Sequence, residues 1–131
     1  NAVLKDKGLY LLHFISQLKE METDSWMKKY IFPGGVIPSL REIVSSMGND
    51  DFHILDIENL RRHYEKTLLC WADNFHNHLD KISGMFDEKF IRMWDLYLNA
   101  CAANFHVGGI DLHQILVTKG VNNELPLTRW Y

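Results

Sequence analysis

Seven residues, Leu9-Tyr10-Leu11-Leu12-His13-Phe14-Ile15, run without a charged acid or lysine between Gly8 and Ser16. A stretch of that length and composition fits a strand covered on both faces, as in parallel sheets. It needs helices to cover it, and the rest of the chain supplies them. After the polar stretch Gln17 to Asp24, the residues Trp26, Met27, Tyr30 and Ile31 predict a short helix stopped before Pro33. Phe32-Pro33-Gly34-Gly35 reads as a turn. Ser39-Leu40-Arg41-Glu42 matches a capping box, in which Ser39 caps and Glu42 reaches back. Leu40, Ile43, Val44 and Met47 give the helix that follows an apolar face, and Gly48-Asn49 ends it. Phe52 to Ile57 predicts a second strand.

Two longer helices come next. Leu60, Tyr64, Leu68, Trp71, Phe75 and Leu79 recur at spacings of three and four, as do Phe86, Phe90, Trp94, Tyr97, Cys101 and Phe105. Gly108-Gly109 closes the second, and Asp111 to Val117 predicts a third strand. Three strands and about four helices define an α/β organisation, and the length of 131 residues favours one domain over 1–131. A sheet this small rarely covers itself. The opening Asn1-Ala2-Val3-Leu4, with no initiator Met or signal pattern, reads as the interior of a longer protein.

Composition narrows the function classes. No apolar run approaches the roughly 20 residues of a membrane-spanning helix. A formal charge of −3 argues against nucleic acid as the main partner. Cys70 and Cys101 make neither a disulfide scaffold nor a four-cysteine zinc site. No metal site is expected: His76 and His78, two apart on a helix, point to different faces, and the other histidines have no tetrahedral spacing. Neither a G-x-G-x-x-G, a P-loop nor a G-x-S-x-G is present.

His13 stands out as a polar residue near the carboxyl end of an apolar strand, where open parallel sheets bind ligands. Pattern alone leaves two readings, a core histidine bonded to a neighbour and a functional one. Tyr64, on the apolar face of a helix, is ambiguous in the same way.

Several blocks break the tie: Leu11-Leu12-His13-Phe14-Ile15, Lys29-Tyr30-Ile31-Phe32-Pro33-Gly34-Gly35-Val36-Ile37-Pro38-Ser39, His63-Tyr64-Glu65-Lys66-Thr67-Leu68-Leu69-Cys70-Trp71, Tyr97-Leu98-Asn99-Ala100-Cys101-Ala102-Ala103-Asn104-Phe105 and Gln114-Ile115-Leu116-Val117. In this order they resemble the C-terminal portion of the cyclopropane-fatty-acyl-phospholipid synthase family, which includes the mycolic acid cyclopropane synthases. The resemblance implies the C-terminal part of an S-adenosylmethionine-dependent methyltransferase fold. It implies a three-stranded mixed sheet with helices, its last strand between the other two. The cofactor-binding glycine loop would lie upstream, so that no cofactor-binding residue belongs to this chain and the chain alone is expected to be inactive.

The implied chemistry is transfer of a methylene from S-adenosylmethionine to the cis double bond of an unsaturated phospholipid acyl chain. It passes through a carbocation that water must not reach. In the family a bound bicarbonate is the base. By resemblance His13 and Tyr64 match its side-chain ligands and Ile15 its backbone N–H contact. Phe32, Gly35, Ile37, Leu68, Cys101 and Phe105 match positions lining the acyl tunnel. Relatives that quench the cation differently make methyl-branched or hydroxylated lipids, and a non-enzymatic lipid-binding module is the third reading. The expected partners are an unsaturated phospholipid or fatty acyl chain, the inner membrane face approached peripherally from the cytoplasm, and a second copy of the chain. Leu9–Ile15, left at a sheet edge, would pair with that copy to give a homodimer or larger homo-oligomer.

Overall fold

Three strands form one sheet in the order β1-β3-β2, with β1 at Leu9–Ser16, β2 at Phe52–Asn59 and β3 at Asp111–Lys119. The computed structural model describes residues 3–48 and 50–128. The residues Asn1, Ala2 and Asn49, used above for the chain opening and a helix end, lie outside the described residues. The last strand lies between the other two, as expected. Both ladders are antiparallel, so the sheet is not mixed. Phe52 to Asn59 pairs with Lys119 to His113 on one side. On the other, the Lys7 N–H donates to Lys119 O (2.9 Å) and the Lys119 N–H to Gly8 O (3.0 Å). The two parallel-running strands are never neighbours. A bulge between Ile54 and Asp56 shifts the β2 register, so that Ile54 faces Val117 and Asp56 faces Leu116.

The chain falls into two compact units. One takes in the chain up to Asn59 and again from His113; the other is Leu60–Leu112. In the first, α1 (Ser25–Tyr30) starts at Asp24, whose Oδ1 accepts from the Trp26 and Met27 amides at 2.9 and 3.1 Å. Helix α2 (Leu40–Gly48) begins on the expected capping box. The Glu42 amide donates to Ser39 Oγ (3.1 Å) and the Ser39 amide to Glu42 Oε2 (2.8 Å). Met47 of α2 packs with Ile115 and Val117 of β3, and Leu12, Phe14, Leu40, Ile43, Val44, Phe52 and Ile54 surround them. Burial of that apolar surface holds the unit together.

The expectation that β1 is covered on both faces is corrected. Leu12 and Phe14 reach the core, whereas Leu9 and Leu11 stay about half exposed. The alternation of an edge strand with one exposed face thus appears where the sequence is apolar throughout.

In the second unit, α3 (Arg61–His76) packs along α5 (Glu88–Val107), with the short α4 (Leu79–Ser83) between them in sequence. The single helix expected over Leu60–Leu79 breaks after His76, where the Asn77 amide turns back to Asp73 O (2.9 Å) and the His78 amide to Phe75 O (3.2 Å). Histidines 76 and 78 therefore mark a helix end. His76 Nε2 meets Asp95 Oδ1 at 2.8 Å, and His78 Nδ1 donates to Asn74 O at 2.8 Å. Asp87 caps α5 by accepting from the Phe90 amide (2.8 Å). Gly108 ends it at φ 77°, a left-handed cap that a side chain disfavours. Leu68, Ala72 and Phe75 of α3 and Leu98, Cys101, Ala102 and Phe105 of α5 are buried. The Arg61 guanidinium donates to the carbonyls of Phe105 and His106 and lies 3.7 Å from Asp111 Oδ1. It thus satisfies the unpaired carbonyl end of α5. No helix among the described residues is long and apolar enough to cross a membrane.

Candidate active site

The candidate residues divide between the units, and each set is built by its own elements. In the first unit His13 and Ile15 are two apart on β1, hence on the same face of the strand. His13 is exposed and Ile15 half-buried. Gln114 of β3 lies beside His13, its Nε2 2.9 Å from His13 Nδ1. An amide nitrogen only donates, so this ring nitrogen accepts. The next polar pair along the strands is buried: Ser16 Oγ is 2.7 Å from His113 Nδ1, with exposures of 0% and 6%. It pins β1 to β3 at the end where the candidate residues lie.

Phe32, Gly35 and Ile37 sit on the segment between β1 and α2. Gln17 closes that segment at its neck. Its Nε2 donates to the carbonyls of Met21 and Ile37, both at 2.7 Å, and its backbone N–H to Pro38 O at 3.1 Å. Ser39 Oγ donates to Glu20 Oε1 (3.0 Å), and the Arg41 guanidinium grips the same carboxylate. Arg41, and then Ser39, hold the Glu20 carboxyl below its ordinary value. The Phe32–Gly35 turn is closed by the Gly35 amide on Phe32 O (2.9 Å). A Cβ at Gly35 would stand 3.0 Å from Phe32 Cβ and O, so the glycine permits that close turn. Gln17, Glu20, Met21, Val36, Ile37 and Glu42 are among the residues around an open hollow of about 350 Å³ under this segment.

In the second unit Tyr64, Leu68, Cys101 and Phe105 gather at the α3–α5 contact. The Tyr64 ring stands edge-on to Phe105 (centroids 5.1 Å, 77°) and to Trp71 (5.9 Å, 78°). Burial, and then the neighbouring Cys101, push the Tyr64 phenol above its ordinary value, so it stays a donor through neutral pH. Burial pushes Tyr97 up to about 12, helped by Cys101 and Tyr64. Burial likewise pushes the Cys101 thiol up to about 11, offset by the hydrogen bond from Tyr97. Leu68 and Phe105 are each 1% exposed and Cys101 7%. The hollow on this unit, about 290 Å³, lies beside another set: Glu65, Leu69, Asn99, Ala102, His106 and Val107 among them. There His106 Nδ1 meets Glu65 Oε1 at 2.8 Å.

Sequence reasoning singled out His13, Ile15 and Tyr64 but not Gln114, although a lone amide between Leu112 and Leu116 on one face of β3 was a readable signal. The residues present do not fit S-adenosylmethionine. The β2-to-α3 link is Leu60, an N-cap without a side-chain bond, and the β1-to-α1 link carries no glycine. Among the described residues, neither of these two links offers a nucleoside a glycine-lined cradle of backbone amides at a helix start. Each unit carries its own candidate donor, the His13 imidazole in the first and the Tyr64 phenol in the second.

The fold is the α/β fold of the S-adenosylmethionine-dependent methyltransferases. The cyclopropane synthase MmaA2 from Mycobacterium tuberculosis superposes with a TM-score of 0.83 over 89% of this chain and 46% of that one, at 26% identity. The mycolic acid cyclopropane synthase CmaA1 complexed with SAH and CTAB does so with a TM-score of 0.79 over 86% and 44%, again at 26% identity. The family model for mycolic acid cyclopropane synthetase matches residues 1–115, and the chain belongs to that family. It is 39% identical over 127 residues to the cyclopropane-fatty-acyl-phospholipid synthase of Escherichia coli (strain K12), covering 96% of this chain and 33% of that protein. The chain thus spans about a third of the length of that curated relative.

Proposed function

We propose that this chain is the C-terminal part of the catalytic domain of an enzyme that transfers a methylene from S-adenosylmethionine to the cis double bond of unsaturated phospholipid acyl chains. The observation that carries the reading is the family match over residues 1–115, which takes in His13, Ile15 and Tyr64. The sulfonium donor is a co-substrate held by residues outside this chain, and the fragment by itself is inactive. Bicarbonate, when bound, supplies a base for the proton lost as the ring closes. His13 and Tyr64 are its side-chain donors, and Ile15 contributes its backbone N–H. An imidazole N–H and a phenol kept protonated orient an oxyanion by donating hydrogen bonds to it. The apolar positions Phe32, Gly35, Ile37, Leu68, Cys101 and Phe105 form the walls that keep water from the cation.

The protein works at the cytoplasmic face of the membrane as a peripheral enzyme, and copies associate through the open β1 edge, where Leu9 and Leu11 remain half exposed. The deciding experiment incubates the full-length protein with labelled S-adenosylmethionine and vesicles of cis-unsaturated phospholipid, then weighs the lipids by mass spectrometry. The expected product gains one CH₂, and Tyr64→Phe lowers its yield by roughly 10- to 100-fold, the worth of one hydrogen bond to a charged group. A methyl-branched or hydroxylated product transfers the reading to a sister chemistry. Acyl-chain binding with no product leaves a lipid-binding module.

A further inference from the structure

We propose that Gln114 is the positioning residue of His13, holding the imidazole in the tautomer that carries its proton on Nε2. The proposal rests on the reading of His13 as a donor to an anionic base. Its core is a geometry that stands apart from that reading.

The two side chains meet across the β1–β3 ladder with Gln114 Nε2 2.9 Å from His13 Nδ1. A glutamine nitrogen has two hydrogens and no lone pair to offer, so Nδ1 must present its own lone pair. A neutral imidazole has one N–H, which then resides on Nε2. Among the described residues Nε2 has no partner, and the ring is exposed on the side of β1 away from the core. The proton is therefore displayed where an oxyanion can take it. With the amide turned the other way, its oxygen would demand the proton on Nδ1, and Nε2 would turn a lone pair toward the anion.

The surroundings explain why a glutamine does this. Leu116 follows Gln114 on the same face of β3, and Leu11 lies near it on β1. With Asp56 and Glu58 of β2 they line one hollow of about 380 Å³. Glu58 stands directly across the ladder from Gln114. A charged residue at 114 would add to or oppose that carboxylate. An apolar residue would leave Nδ1 free to take either tautomer. The neutral amide fixes the tautomer without bringing a charge next to the acids. The pair also joins strand positions 101 residues apart, so the ring is held from a second strand as well as from its own.

The test begins with this chain carrying ¹⁵N-labelled histidine, observed by long-range ¹H–¹⁵N correlation at mildly alkaline pH. Unsubstituted, His13 should show an acceptor-type Nδ1 and a protonated Nε2. In Gln114→Met, similar in size and unable to donate, the preference should fall by roughly two- to tenfold, the worth of one ordinary hydrogen bond. In Gln114→Glu, whose carboxylate accepts only, the proton should move to Nδ1. A protonated Nδ1 in the unsubstituted chain overturns the proposal, and so does a tautomer balance that Gln114→Met leaves alone. The second arm measures lipid methylation by the full-length protein against added bicarbonate. Gln114→Met should raise the half-saturating bicarbonate concentration in proportion to the lost fraction of His13 protonated on Nε2, hence by at most that factor, and leave the KM for lipid and for S-adenosylmethionine unmoved. A change confined to the KM for lipid overturns the positioning role. If bicarbonate has no effect on the unsubstituted enzyme, the base reading fails, while the tautomer arm still decides whether Gln114 orients His13.

Discussion

Removing one hydroxyl, in Ser39→Ala, tests how the segment bearing Phe32, Gly35 and Ile37 is anchored. Ser39 is 2% exposed, and its Oγ makes two bonds. It accepts from the Glu42 amide at 3.1 Å and donates to Glu20 at 3.0 Å. The return arm of the box, the Ser39 amide on Glu42 Oε2 at 2.8 Å, is made by the main chain and survives the substitution. The loss is therefore that of one N-cap, about 1–2 kcal/mol. Glu20 keeps Arg41 and has access to water, so nothing is added for it. In thermal unfolding this is a fall of about 3–8 °C for a domain of this size. A cycle with Glu42→Ala should return a coupling of about 0.5–1 kcal/mol, because the two side chains serve one helix start. Amide exchange at Glu42 supplies a local reading, with faster exchange expected in Ser39→Ala alone. A stability within about 0.3 kcal/mol of the unsubstituted chain, or strict additivity with Glu42→Ala, would refute the reasoning, since surface changes of no structural weight fall in that range.

Further expectations bear on the second unit. Phe105→Ala, at a ring 1% exposed, should cost about 3–5 kcal/mol in urea unfolding, against under 1 kcal/mol for Leu96→Ala on the exposed side of the same helix. The folded Cys101 thiol sits at about 11, above its ordinary value. Above pH 9 the unfolded chain therefore releases this proton first, and stability falls until the folded thiol also ionises. Cys101→Ala should flatten that part of a urea-midpoint profile, and an unchanged slope would count against the burial. A thiol reagent should label exposed Cys70 quickly and buried Cys101 only on unfolding. Gly108→Ala places a Cβ at φ 77° with no atom within 4 Å to clash, so its cost, about 1 kcal/mol by thermal unfolding, should be conformational alone.

Much of this architecture was legible because its causes are local. The β1 run, the Ser39–Glu42 box, the α3 and α5 periodicities and the glycine stop at Gly108 each lie within a few residues of what they determine. The central place of β3 came from the resemblance. What stayed hidden depends on partners far along the chain. His13 was visible as an odd residue in its strand, but its bond to Gln114 joins two segments that no local pattern connects. The same holds for Ser16 with His113, and for Arg61, whose charge at a helix start looks unfavourable until its reach to the carbonyl end of α5 is seen. The break after His76 was missed because the apolar spacing continues through it to Leu79, while a tighter turn bond from His78 to Phe75 follows the last helical bond, from Asn77 to Asp73. The open side of β1 was missed for a different reason: apolar residues record what a face is suited to touch, whether or not anything among the described residues touches it.

The chain leaves β2 at Asn59 and resumes pairing at His113, its Cα partner, while the Leu60 amide donates to Leu112 O at 2.7 Å. The central ladder of the sheet therefore closes across the whole of the second unit. In the order of folding this is a delay. Zipping β2 to β3 around a disordered connection must offset the entropy of a long loop before any strand contact rewards it. If α3 and α5 pair first, the two ends of that loop are delivered side by side and the effective loop shrinks to a turn. Refolding kinetics should accordingly show high φ-values at Leu68 and Phe105 and low ones at Ile57 and Ile115, with the helical hairpin serving as the clasp that lets the sheet assemble.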